Sequence, residues 1–169
     1  MKTIILFRHA KSSWKDLSLD DIDRPLNKRG KQNAPFMGQK LREREIIPDL
    51  ILSSPAKRAK KTAITIANEI GYPKKKIVYD NDLYHSGAGY MLEMVQNLDD
   101  KNESIMIFGH NPDFNSFADM LLKHNPIYNI PTAGVYCIKF DVNSWGKVQE
   151  GKGESVFFDY PKRYSKELS

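Results

Sequence analysis

Apolar residues in this chain come in short runs separated by polar, helix-patterned stretches. Ile4-Ile5-Leu6-Phe7 is an unbroken apolar run, so residues 3–8 read as a buried strand. A polar loop follows from Lys11 to Arg24. Pro25-Leu26-Asn27 then opens a helix with Asn27 as N-cap, and apolar positions recur at helical spacing (Phe36, Met37, Leu41) as far as Ile46-Ile47, where Pro48 stops it. Pro35 either disrupts this helix or marks its true start. Asp49–Ser53 is a second short strand. Ser54 as N-cap and Pro55 at the first helical position predict a helix that runs to about Ile70 and ends at Gly71.

Further along, Ile77-Val78-Tyr79 predicts a brief strand, residues 87–98 an amphipathic helix, and residues 104–108 another buried strand. A helix is expected from about Asp113 to Leu122. Residues 134–140 alternate like a sheet strand, and residues 155–158 are expected to pair with them across the turn at Asn143–Gly146. Strands alternating with helices predict an α/β fold, a three-layer α/β/α sandwich whose mainly parallel sheet has an antiparallel edge. With 169 residues, 40% of them hydrophobic, one domain with one core is expected over residues 1–160, followed by a polar, solvated tail at 161–169.

Composition narrows the class. The lone Cys137 gives neither a disulfide framework nor a cysteine metal site, so a reducing, cytoplasmic setting is the expectation. No run reaches membrane-spanning length, and the apolar stretch before Arg8 is too short for a signal peptide. The 26 Lys and Arg against 21 Asp and Glu leave a formal charge of +5, with clusters at Lys57–Lys61 and Lys74–Lys76. That field favours phosphorylated substrates, or else reflects solvated helix faces. Recognition-helix, zinc-finger and aromatic RNA-binding signatures are lacking, so a nucleic-acid partner is not expected.

The chemistry collects at strand ends. The first strand runs into Arg8-His9 and the 104–108 strand into Gly109-His110-Asn111-Pro112. Open α/β sheets bind ligands at the carboxyl ends of their strands. Arg8 and Arg58 supply guanidinium groups for phosphoryl oxygens, His9 an imidazole nucleophile, and His110 a donor to charge that develops during transfer. Arg24 is a further oxyanion contact or simply pairs with Asp21 or Asp23. The backbone N–H of Asn111 is a candidate phosphate donor at a helix start. No Walker loop, nucleotide fingerprint or acidic metal cluster is present, so neither cofactor nor metal is expected.

These motifs resemble the histidine phosphatase (phosphoglycerate mutase-like) superfamily. Leu6-Phe7-Arg8-His9-Ala10-Lys11-Ser12-Ser13-Trp14 is similar to its Arg-His-Gly signature, with Ala10 in the glycine position. Pro25-Leu26-Asn27-Lys28-Arg29-Gly30 is similar to its Pro-Leu-Thr-x-x-Gly element, and Ser54-Pro55-Ala56-Lys57-Arg58-Ala59-Lys60-Lys61-Thr62-Ala63 to its Ser-Pro-x-x-Arg-Ala-x-x-Thr-Ala element. Gly109-His110 matches its Gly-His segment. The small size points to the compact SixA-type phosphohistidine phosphatases. The resemblance implies His9 as the phosphorylated nucleophile, with Arg8, Arg58 and His110 lining the phosphate pocket.

The departures are informative. Lys15 stands where mutase-like members carry Asn. Near Leu83-Tyr84-His85, where larger relatives place a general-acid Glu, the chain has His85 with Asp82 adjacent. The stretch from Leu83 to Ser104 holds a loop and one helix, with no room for the lid of larger relatives. A missing acid disfavours alkyl esters, and an uncovered site favours a side chain on another protein. The expectation is a metal-independent phosphatase, a monomer without membrane partners, acting on a phosphohistidine protein such as a phosphotransfer domain. The rivals are a small phosphomonoester phosphatase and a non-catalytic phosphate-binding regulatory module. His85 is a candidate substrate contact or an exposed histidine, and Trp14 a lid over the pocket or loop packing.

Overall fold

The computed structural model describes residues 1–124 and 129–165. Six strands form one sheet: β1 (Lys2–Arg8), β2 (Leu50–Ser53), β3 (Val78–Tyr79), β4 (Ser104–Gly109), β5 (Val135–Phe140) and β6 (Glu154–Asp159), in the order β3-β2-β4-β1-β5-β6. β1 to β4 run parallel, while β5 is antiparallel to both of its neighbours. The helices α1 (Lys28–Glu43), α2 (Lys57–Ile70), α3 (Ala88–Gln96) and α4 (Asp113–Leu121) cover the two faces. No helix of the described residues is long and apolar enough to cross a membrane.

Pleating sorts the core into two layers. Ile4 and Leu6 of β1 pack with Met91 and Val95 of α3 and Phe114, Phe117 and Leu121 of α4. Ile5 and Phe7 point the other way, against Met37 and Leu41 of α1 and Ala63, Ile66 and Ala67 of α2. The expected α/β/α sandwich is therefore present, including the antiparallel edge at β5–β6.

Several local expectations change. α1 runs straight through Pro35. An interior proline costs about 3 kcal/mol, and burial of Ala34, Met37 and Leu41 on either side of it outweighs that loss. The helix also stops at Glu43, short of Ile46-Ile47, because Glu45 turns left-handed (φ 58°). Ile46 still packs on the core from beyond the helix end, which is why its apolar character mimicked another turn. Ser54 does not cap α2, whose N-cap is Ala56. Of the tail, residues 161–164 form a 3-10 turn with Pro161 buried, and Tyr164 donates to Asp159 at 2.7 Å and packs edge-on against Phe36. Pro161 and Tyr164 tie this turn to the fold while Lys162, Arg163 and Ser165 are exposed; residues 166–169 of the expected tail lie outside the described residues.

Two turn signals hold. Asn27 caps α1 by accepting from the N–H of Gly30 at 2.8 Å, and Gly71 ends α2 in the left-handed region (φ 81°). Gly30 has a second reason to lack a side chain, since a Cβ there would meet the Lys11 carbonyl oxygen at 2.2 Å. That carbonyl also accepts from Asn27 N–H at 2.9 Å, so α1 is pressed against the segment leaving β1. Gly30→Ala is expected to cost about 1–3 kcal/mol through forced displacement of this backbone. A thermal melt checks it, with Tm lowered by about 2–4 °C per kcal/mol for a chain of this size.

Candidate active site

Register brings the chemistry together. β1 and β4 pair so that Arg8 lies opposite Gly109, and the ladder continues with the N–H of His9 donating to the Gly109 carbonyl at 3.1 Å. His9 and His110 therefore leave neighbouring strands at the same level, their rings 5.1 Å apart. Gly109 is needed beside them, because a Cβ there would lie 2.7 Å from the Phe114 ring. β2 pairs with β4 on its other side and delivers Ser54, and α2 then carries Arg58 inward, where it is buried.

Each imidazole is held by one ring nitrogen. The Nδ1–H of His9 donates to the Ala10 carbonyl at 2.7 Å. A carbonyl can only accept, so the proton sits on Nδ1 and the lone pair on Nε2. His110 Nε2 lies 2.8 Å from the Ser54 hydroxyl, which also accepts from the Ala56 N–H at 3.2 Å. In the tautomer whose Nε2 accepts from the Ser54 O–H, the proton of His110 is on Nδ1. Burial pushes the His9 pKa down to about 4, with Arg58, Arg8 and Arg24 adding to the fall and the Ala10 carbonyl opposing it. Burial likewise lowers His110 to about 2, helped by His9, Arg58 and His85.

Two buried side-chain nitrogens have no hydrogen-bond partner among the described residues, and both belong to this site: Arg8 Nε and His110 Nδ1. Arg8 is otherwise anchored by donating from Nη1 to the Ile130 carbonyl at 3.0 Å. Leaving a buried donor unpaired costs about 1–3 kcal/mol, so two in one place call for an acceptor.

Asp21 organises the opposite wall. Its backbone carbonyl and Oδ2 accept from Arg58 at 2.7 and 3.0 Å, and its Oδ1 accepts from Arg24 at 2.9 Å. The Tyr84 hydroxyl donates to the same carboxylate. That bond, with the two guanidinium groups, holds Asp21 well below the usual carboxylate range. Arg24 also donates to Ser12 Oγ and to the Ser13 carbonyl at 3.2 Å, and its guanidinium stacks 3.3 Å above the exposed Trp14 ring. Thr62 ties the halves together, accepting from the Ala10 N–H at 3.0 Å and donating to the Arg58 carbonyl at 2.7 Å.

The structure thus brings Arg8, His9, Arg58 and His110 into one pocket. His85 joins it, its ring 5.5 Å from His110 and exposed at the mouth. Arg24 is in the wall, and its pairing with Asp21 is real. The Asn111 side chain holds the loop before β5, donating to the Ile130 carbonyl at 2.9 Å, and α4 begins two residues later. Trp14 packs on Arg24 rather than closing over the pocket. Asp21, Ser54, Thr62 and Tyr84 went unrecognised as site residues. Asp21 left a signal, three residues before Arg24, and Ser54 and Thr62 stand in the Ser-Pro-x-x-Arg-Ala-x-x-Thr-Ala element, whereas Tyr84 left none.

A model of the histidine phosphatase superfamily (branch 1) matches residues 4–104, more than half of the chain. The chain belongs to this superfamily. An uncharacterized chloroplastic protein of Arabidopsis thaliana is 34% identical over 152 residues, covering 85% of this chain and 69% of its own length. The fold matches that of a proposed phosphohistidine phosphatase SixA from Agrobacterium tumefaciens with a TM-score of 0.82 at 24% identity, covering 95% of this chain and 98% of that one. It matches a protein histidine phosphatase SixA complexed with tungstate equally well, at 0.82 and 18% identity, with the same coverage.

Because both imidazoles are depressed below the ordinary ~6.5, the unfolded chain binds more protons in acid than the folded one. The stability they contribute is complete above about pH 6.5 and is lost as pH falls through about 4 for His9. In the free protein, ring NMR signals of His9 and His110 are expected to stay at their neutral positions from about pH 8 down to about pH 5. Titration of either ring near its ordinary value would contradict this electrostatic picture.

Proposed function

We infer that this protein is a phosphatase for phosphohistidine carried on another protein, working through a phosphohistidine intermediate on His9. The observation that carries the reading is the pairing of a neutral His9, its Nε2 lone pair free, with two buried nitrogens, Arg8 Nε and His110 Nδ1, that have no partner among the described residues. A phosphoryl group in this pocket would satisfy both donors. Arg8 and Arg58 would hold its nonbridging oxygens, and the guanidinium charge does the work a metal does elsewhere.

His9 Nε2 attacks phosphorus in line. Its bond to phosphorus forms as the substrate's P–N bond breaks, and the electron pair leaves with the substrate imidazole, which takes a proton from solvent. Water then attacks the phosphorylated His9 and releases inorganic phosphate. His110 donates from Nδ1 to an equatorial oxygen and stabilises the growing charge. A bound dianion offsets the cations around His110 and raises its proton affinity, which favours uptake of a second proton from solvent to give an imidazolium, the stronger donor. Asp21 is a poor general acid, since its partners keep it ionised; it serves instead to aim Arg58.

The choice of a protein substrate rests on the leaving group and the surroundings. Imidazole departs more readily than an alkoxide, so the missing acid matters less. The segment that carries Asp21 and Arg24 also exposes Trp14, Leu17, Leu19 and Ile22. Clustered exposed apolar residues beside a pocket suit a macromolecular partner better than a small, highly charged ester. A phosphotransfer domain in the cytoplasm is a partner of this kind, met by a monomer.

His9→Ala is expected to abolish release of phosphate from a phosphohistidine protein, and wild-type protein to form an acid-labile phosphoryl adduct on His9. Arg58→Lys is expected to lower kcat/KM by about 100-fold or more, since a bidentate donor aimed at the reacting group is lost. Phosphate release assays on a phosphohistidine protein and an aryl phosphate check both. Equal release by wild type and His9→Ala would refute the nucleophile, and faster turnover of the aryl ester would refute the protein substrate.

A further inference from the structure

A second cavity of about 280 Å³ borders Arg8, and neither His9 nor His110 lines it. Its wall draws on four separate parts of the fold: Arg8 and Lys11 at the end of β1, Arg29 and Asn33 on α1, Thr132 before β5, and Lys162 in the C-terminal turn. Among the described residues, none that lines it is acidic. Four cations from distant stretches of sequence around one cavity form a marked positive potential.

The ion pairs of the described residues make the contrast plain. Arg24, Arg42, Arg44 and Arg58 all pair with carboxylates, whereas Lys11, Arg29 and Lys162 pair with none. Asn33 is only 7% exposed, yet among the described residues its amide has no hydrogen-bond partner. The adjoining Arg8 Nε is likewise unpaired. An amide that lines the cavity without a protein partner, ringed by cations that pair with no carboxylate of the described residues, matches the demands of a phosphate or carboxylate.

We propose that this cavity is an accessory anion site, which receives a second anionic group on the same substrate whose phosphoryl group reacts at His9. Arg8 borders both sites, so the two anions lie one guanidinium apart. The substrate class is thereby narrowed to molecules with paired anionic groups: a phosphohistidine flanked by an acidic side chain, or a small molecule with two phosphates. Selection among substrates rests on the reading of His9 given above, whereas binding of the anion does not.

The test uses the R29Q/K162Q double variant, which leaves every group around His9 in place. Calorimetric titration with inorganic phosphate is expected to show two sites in wild type and one in the variant. KM is then measured for phosphohistidine peptides with Glu or Gln beside the phosphohistidine, and for aryl mono- and bisphosphates. Wild type is expected to favour the doubly anionic member of one pair by about tenfold in KM, the scale of a few partly screened charge contacts. The variant should lose that preference while turning over aryl monophosphate as wild type does, and the pair affected identifies the source of the second anion. Equal phosphate stoichiometry in the two proteins, an unchanged preference, or loss of aryl monophosphate turnover in the variant would each overturn the proposal. If wild type turns over nothing, the catalytic reading fails and the phosphate stoichiometry still decides the site.

Discussion

Everything in the site depends on the pairing of β1 with β4. Because Arg8 sits opposite Gly109, two histidines separated by a hundred residues of chain leave the sheet side by side. A shift of one residue would turn the alternating side chains over and send one imidazole into the opposite layer. The register is held by the core beneath it, where Ile4 and Leu6 pack to one side and Ile5 and Phe7 to the other. The same packing that stabilises the fold therefore sets the distance between the rings.

Electrostatics follow from that placement. Burial keeps both imidazoles neutral, and the arginines around them deepen the effect. So much positive charge in one place needs an internal counterweight. Asp21 provides it for Arg58 and Arg24, with Tyr84 completing the carboxylate's contacts. Among the described residues Arg8 has no such partner and keeps an unpaired nitrogen. The pocket is thus balanced on one wall and unsatisfied on the other, the arrangement expected of a preformed anion site.

Thr62 shows how a sequence element can serve both fold and site. Its hydroxyl links the Ala10 N–H to the Arg58 carbonyl, fixing α2 against the end of β1. Gly30 does the same for α1, allowing it to approach the Lys11 carbonyl. Residues in these motifs that never reach the pocket hold in place the backbone that carries those that do.

Local pattern was enough to find the strands, the α/β layering, the Asn27 cap, the Gly71 stop and the four residues Arg8, His9, Arg58 and His110. These are legible because each rests on a short-range cause: period, capping chemistry, or a charged residue at a strand end. Pro35, the end of α1 and the role of Ser54 were misread, since tertiary packing overrode local preference at each. Asp21, Tyr84 and the basic cavity beside Arg8 were out of reach for a related reason. A counter-ion is defined by which cations surround it, and a cavity by which distant segments meet. Sequence alone determined the elements and the candidate groups at the strand ends. The pairing of charges, and which of them remain unpaired, was decided only when folding brought those segments within a few ångströms.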